Sequence, residues 1–160
     1  MKKSLWAFFS TVLFFSLIFL VEASCSKGNL VPSEDGLRVR EMDHVIETLR
    51  TSYIKKDPVE FLKYFSQEDA NGALILEKNL DHIFVQLDPV TLKFFIEKVI
   101  LQEAKAKAYI HWQGKWQRKE KGTVFSKKGD MVFLFEGKKE PLVLGIEGDS
   151  PFELKKLRQP

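Results

Sequence analysis

The chain has 160 residues, 44% hydrophobic and 29% charged, proportions that fit one globular domain and exclude a disordered, collagen-like or polytopic membrane chain. Lysine and arginine number 25 against 22 acidic residues, so the net charge of +3 describes a mixed surface and not the biased one of a dedicated nucleic-acid binder. The sole cysteine excludes a disulfide framework and any multi-cysteine metal site.

Met1, Lys2 and Lys3 precede an uncharged run from Leu5 to Val21, the basic head and apolar core of a secretory signal. As a helix the run reaches roughly 25 Å, between an ordinary signal core and a full bilayer span, so its length leaves cleaved signal and uncleaved anchor both open. Cys25 follows Ala23 and Ser24, an arrangement that resembles a bacterial lipobox, with Glu22 where that motif carries an apolar residue. The resemblance implies a diacylglycerol-bearing Cys25, a membrane anchored through lipid, and, because Ser26 and not Asp comes next, an outer-membrane lipoprotein facing the periplasm. Val21-Glu22-Ala23 also reads as an ordinary signal-peptidase site with cleavage before Ser24. Residues 1–24 are thus expected to be signal and 25–36, with glycine, proline and no periodicity, a tether.

Met42, Val45, Ile46, Leu49 and Tyr53 fall on one helical face and predict an amphipathic helix over 37–55. Asp57-Pro58-Val59-Glu60 supplies a cap, a proline at the first helical position and a carboxylate at the third, predicting a short second helix that carries Phe61, Leu62 and Phe65 inward. Ser66-Gln67-Glu68-Asp69 resembles a capping box, and Ala73, Leu76, Leu80, Ile83 and Phe84 make a third helical face.

After Asp88-Pro89 the period changes. Val90 to Leu101 is dense in Phe, Ile and Val, and Ala104, Ala106, Ala108, Ile110 and Trp112 alternate along a second strand. Gly122 to Glu136 predicts a third strand, bulged near Lys128-Gly129-Asp130, and Leu142 to Ile146 a fourth after the Gly137-Lys138-Lys139 turn. Helices followed by antiparallel strands on short turns make an α+β order.

The helix-then-strand order, the Asp57-Pro58-Val59-Glu60 start of the short helix, the Ala-rich strand ending in His111-Trp112 and the closing stretch from Leu144 to Phe152 resemble the nuclear transport factor 2-like superfamily. More narrowly, the chain is similar to small exported bacterial lipoproteins with this domain, over residues 37–152, leaving 153–160 as a tail. The resemblance implies a cone of about three helices packed on a strongly bent, four-stranded antiparallel sheet. It also implies a pocket at the open end, where enzymes of the superfamily place an Asp, His or Tyr. Activity does not follow from it, since isomerases, dehydratases, transport adaptors and binding modules share the fold.

His111 and Asp149 are the candidate acid–base residues, although a strand histidine and a turn aspartate also have ordinary structural roles. Trp112, Trp116 and Tyr109 are candidates for a small apolar ligand's platform, although alternation puts Tyr109 and His111 on the face opposite Trp112. His44 and His82 lack a second ligand at metal spacing, and no phosphate-binding glycine loop occurs, so neither metal nor cofactor is expected. Lysines at 115, 119, 121, 127, 128, 138, 139, 155 and 156 fall at strand ends, turns or the tail, as solubilising residues do, and nucleic acid is not an expected partner. Met131 to Phe135 is apolar on both alternating faces while the helices cover one, which predicts a homodimer through the sheet. These readings add up to a non-catalytic binding or assembly module tethered at a bacterial envelope. The alternatives are an isomerase or dehydratase-like enzyme and a signal-anchored subunit of an envelope secretion machine.

Overall fold

The computed structural model describes residues 32–66 and 70–158, so the signal segment, the site at Cys25 and the tether as far as Val31 lie outside the described residues. Helix α1 (Glu34–Lys55) starts three residues before the expected 37, inside the stretch expected as tether, because Ser33 caps it, its hydroxyl accepting from the Gly36 amide at 3.1 Å. Glu34 and Asp35 add favourable charge to that first turn. The helix ends at Lys56, left-handed at φ 58°, and its buried stripe of Met42, Val45, Ile46, Leu49 and Tyr53 is the one the periodicity predicts. Asp57 caps α2 (Pro58–Leu62) by accepting from the Glu60 amide at 3.0 Å. Helix α3 (Ala70–Gln86) buries Leu80 and Ile83 and runs without a loop into strand β1 (Leu87–Gln102).

The remaining described strands, β2 (Lys105–Arg118), β3 (Val124–Glu136) and β4 (Leu142–Gly148), pair antiparallel in the order β1-β2-β3-β4, which completes the expected α+β architecture. Ala106, Ala108, Ile110 and Trp112 point from β2 into the core beneath the helices. Ala104 is a departure: it is exposed in the β1–β2 turn with Glu103, whose φ of 35° ends the strand's alternation. Arg38 fastens that turn to α1, its Nη1 donating to the Glu103 carbonyl at 2.6 Å.

The bulge expected near Lys128-Gly129-Asp130 is absent. Gln113, Trp112 and His111 pair with Lys128, Gly129 and Asp130 in unbroken register, and the shifts fall instead at Pro89/Thr91 and Ile96/Lys98 in β1 and at Leu134/Phe135 against β4. Gly129 has a different purpose, since a Cβ there would meet the Trp112 ring at 3.0 Å. Gly114 likewise makes room for Trp116, whose ring lies 2.2 Å from where its Cβ would stand. Pro89, which cannot donate to a ladder, sits at the shift on an edge strand.

The segment after residue 153 is also more than a tail. Helix α4 (Leu154–Arg158) delivers Leu157 into the core to which Phe152 also belongs. Phe152 meets Tyr53 and Phe61 edge-on at 5.1 and 4.8 Å, contacts worth about 0.5–1.5 kcal/mol each beyond burial.

Candidate functional site

Three pieces of chain that are far apart in sequence converge on one cleft. The end of α2 is stitched to β4, the Ser66 amide donating to the Val143 carbonyl at 2.9 Å and the Val143 amide to the Tyr64 carbonyl at 2.8 Å. This brings Phe65 and Ser66 opposite the first turns of α3, while β4 and the segment behind it form the floor. The cleft is about 430 Å³, within the range that holds small molecules. Phe65, Ile75, Leu76, Leu144 and Ile146 give it apolar walls, and Asn79, Ser150 and Glu153 contribute polar groups. Among its described lining residues, Glu153 is the one ionisable side chain.

None of the candidate site residues His111, Asp149, Trp112, Trp116 and Tyr109 lines this cleft. Trp112 and Trp116 are 3% and 0% exposed, which removes them as a ligand platform. Period-two alternation sends both indoles to the helix side, where the glycine seats let them pack edge-to-face at 6.0 Å. Trp112 Nε1 donates to the Asp149 carbonyl at 2.6 Å. Trp116 Nε1 donates to Tyr53 Oη at 2.9 Å, and Tyr53 in turn donates to the Pro151 carbonyl at 3.2 Å, so this buried polar chain is satisfied from end to end. Burial pushes the Tyr53 phenol well above its ordinary value, against a smaller opposite pull from Trp116, and the group stays neutral. Tyr109 is half-buried on the opposite face, so the three candidate ligand residues do not meet.

His111 and Asp149 do not meet either. The Asp149 side chain pairs with Lys156 Nζ at 2.9 Å, and that hydrogen bond raises the lysine above its ordinary value. His111 lies on the outer sheet face with Nδ1 at 2.8 Å from Asp130 Oδ1. An ionised carboxylate only accepts, so the ring's proton in the neutral tautomer that fits this pair sits on Nδ1, with Nε2 accepting from Gln113 Nε2 at 3.3 Å. Phe95 flanks the imidazole at 6.2 Å. Glu97, from the β1 bulge, completes a group whose nitrogen and carboxylate oxygens all lie within 4.8 Å of one another. His44 and His82 are exposed on helices.

Spacing searches along the sequence miss both assemblies. The cleft takes its lining from α2, α3, β4 and the residues after β4, and the Glu97–His111–Asp130 group takes one residue from each of three strands. The second was within reach of a register argument, because hairpin pairing aligns Phe95, His111 and Asp130 in one row.

No family model and no curated protein matches the sequence. Solved structures do. A nuclear transport factor 2-like superfamily protein from Salmonella enterica serovar Typhimurium is similar with a TM-score of 0.58 at 12% identity, covering 70% of this chain and 89% of that one. A ketosteroid isomerase-like protein from Erwinia carotovora atroseptica gives 0.57 at 13%, covering 70% and 96%. A nuclear transport factor 2-like protein of unknown function from Shewanella oneidensis gives 0.51 at 12%, covering 69% and 97%. At these identities the likeness speaks of architecture alone. The helices, the curved antiparallel sheet and these neighbours together give the chain the nuclear transport factor 2-like fold.

Proposed function

We propose that the protein is a non-catalytic binding module tethered at a bacterial envelope, and that its ligand site is the cleft between α3 and β4 and not the tryptophan pair. The cleft carries this reading: about 430 Å³ with apolar walls and a few polar groups suits a small, largely apolar molecule that offers a hydrogen bond to Asn79, Ser150 or Glu153. The basic head, the apolar run and the lipobox-like surroundings of Cys25 support the tether. Self-association belongs to the same reading. Phe95 is 47% exposed on the outer sheet face, and Tyr109, Val132 and Leu134 are half-buried there, a surface that a second copy would cover.

The test uses the exported part from Ser26 onward and a set of water-soluble aromatic and alicyclic fragments, followed by ligand-observed NMR. Ala73→Phe fills the cleft from α3 and should abolish binding of fragments that the wild type takes, while the melting transition stays in place. Fragments that bind Ala73→Phe as well as the wild type would refute the site. The isomerase or dehydratase alternative needs an acid or base in the cleft, and Glu153 is the described carboxylate there. Turnover of a fragment, lost in Glu153→Gln with binding retained, would replace the binding module by an enzyme.

A further inference from the structure

The outer face of the sheet carries chemistry that the cleft does not use. His111 on β2 and Asp130 on β3 are register partners, and Glu97 on β1 is the extra residue between the pairs Ile96–Ile110 and Lys98–Tyr109. A bulge re-aims the side chain it inserts, and here it delivers a carboxylate to an imidazole–carboxylate pair. The geometry points to a divalent transition-metal site of the zinc class, with Glu97, His111 and Asp130 as its three protein ligands and a fourth position that none of the described residues fills.

The donor set suits such an ion. One neutral imidazole and two carboxylates bring a charge that a dication neutralises, and mixed nitrogen and oxygen donors fit zinc, cobalt or manganese better than calcium. Ligands bound at about 2.0–2.2 Å stand roughly 3.4 Å apart around a tetrahedral ion. The donor atoms here lie within 4.8 Å of one another, so the adjustment required is small, with the 2.8 Å Nδ1–Oδ1 pair opening to admit the ion. Both carboxylates are free to make it, since Glu97 is exposed and the Asp130 side chain is 80% exposed. The backbone beneath them is fixed, the Asp130 carbonyl accepting from the Asp149 amide at 2.8 Å.

Binding at Nδ1 requires one proton shift. The ring's single proton, now on Nδ1 toward Asp130, moves to Nε2 as the metal takes the Nδ1 lone pair, with no net gain or loss. Gln113 already stands at Nε2. Turning its carboxamide over presents Oε1 to accept the new Nε2–H, and a hydrogen bond of that kind orients a metal-bound histidine.

The full-length chain in detergent would be titrated with cobalt(II), whose visible absorption reports coordination, and then with zinc(II) as competitor. One cobalt per chain with tetrahedral-type bands, displaced by one equivalent of zinc, is the expected result. Glu97→Gln and Asp130→Asn should each weaken binding at least tenfold and His111→Ala should abolish the bands, each variant retaining the wild-type circular dichroism, while His44→Ala and His82→Ala leave the titration unchanged. Zinc should also raise the melting temperature of the wild type and not that of His111→Ala. No stoichiometric binding, or binding that survives Glu97→Gln and Asp130→Asn, would overturn the site. Loss in His44→Ala or His82→Ala would place the metal elsewhere and overturn it equally.

Discussion

Strand β2 puts two kinds of environment back to back. Its inward residues, Ala108, Ile110, Trp112 and Trp116, are closed in a core where each indole N–H has an acceptor. Its outward residues, Tyr109, His111 and Gln113, stand in a half-open polar row that ends on Asp130. A displacement of one residue along the strand separates them. The comparison teaches that strand aromatics in this fold can be sealed core, and that the histidine and tyrosine of the same strand lie on the far side of the sheet from them.

The largest way to break the contrast is Trp116→Ala. The ring is fully buried and its removal leaves Tyr53 Oη without its donor, so a loss of about 3–5 kcal/mol is expected in denaturant unfolding. His111→Ala, on the other face, should stay within about 0.5 kcal/mol of wild type. Near-equal effects would mean that the two faces are not distinct in energy.

Glycines sharpen the same point. Gly114→Ala puts a methyl group into the Trp116 ring and should cost about 1–3 kcal/mol. At Gly145 a Cβ would meet nothing within 4 Å, and alanine there should be neutral or slightly stabilising through the unfolded chain, a difference readable as two melting curves.

The smallest effect concerns acid. The hydrogen bond from Lys56 holds the Asp88 carboxyl below its ordinary value, with further help from charge on Lys56 and Lys119. A pKa lowered by folding adds stability above the unfolded value and loses it as pH falls through the lower, folded one. Asp88→Asn should therefore flatten the loss of stability on the acid side of the ordinary carboxylate range and leave the neutral-to-alkaline limb unchanged. Glu47, lowered by its hydrogen bond to Arg50, continues to titrate in that variant.

Much of the fold was legible because its signals are local. Asp57 and Pro58 start a helix by a bond and a fixed angle within a turn, and the alternation from Ala106 to Trp112 marks one face of a strand, whereas the Ser33 cap went unread inside the expected tether. Gly129 misled for the opposite reason. A glycine in a strand signals either a bulge or a close approach, and only the partner strand shows that the approach is Trp112. The cleft was illegible since Asn79, Ser150 and Glu153 have no shared spacing, and the acceptors that satisfy the buried indoles, Tyr53 and Asp149, are distant in sequence.

The central claim is that apolar ligands enter the α3–β4 cleft and leave the tryptophan core closed. Methyl-resolved NMR of the exported part during titration with a binding fragment tests it directly. The account predicts shifts at Ile75, Leu76, Leu144 and Ile146, with the Ile110 methyls and the Trp112 and Trp116 indole N–H signals unmoved. Shifts centred on Ile110 and the two indoles, with the cleft methyls still, would contradict it.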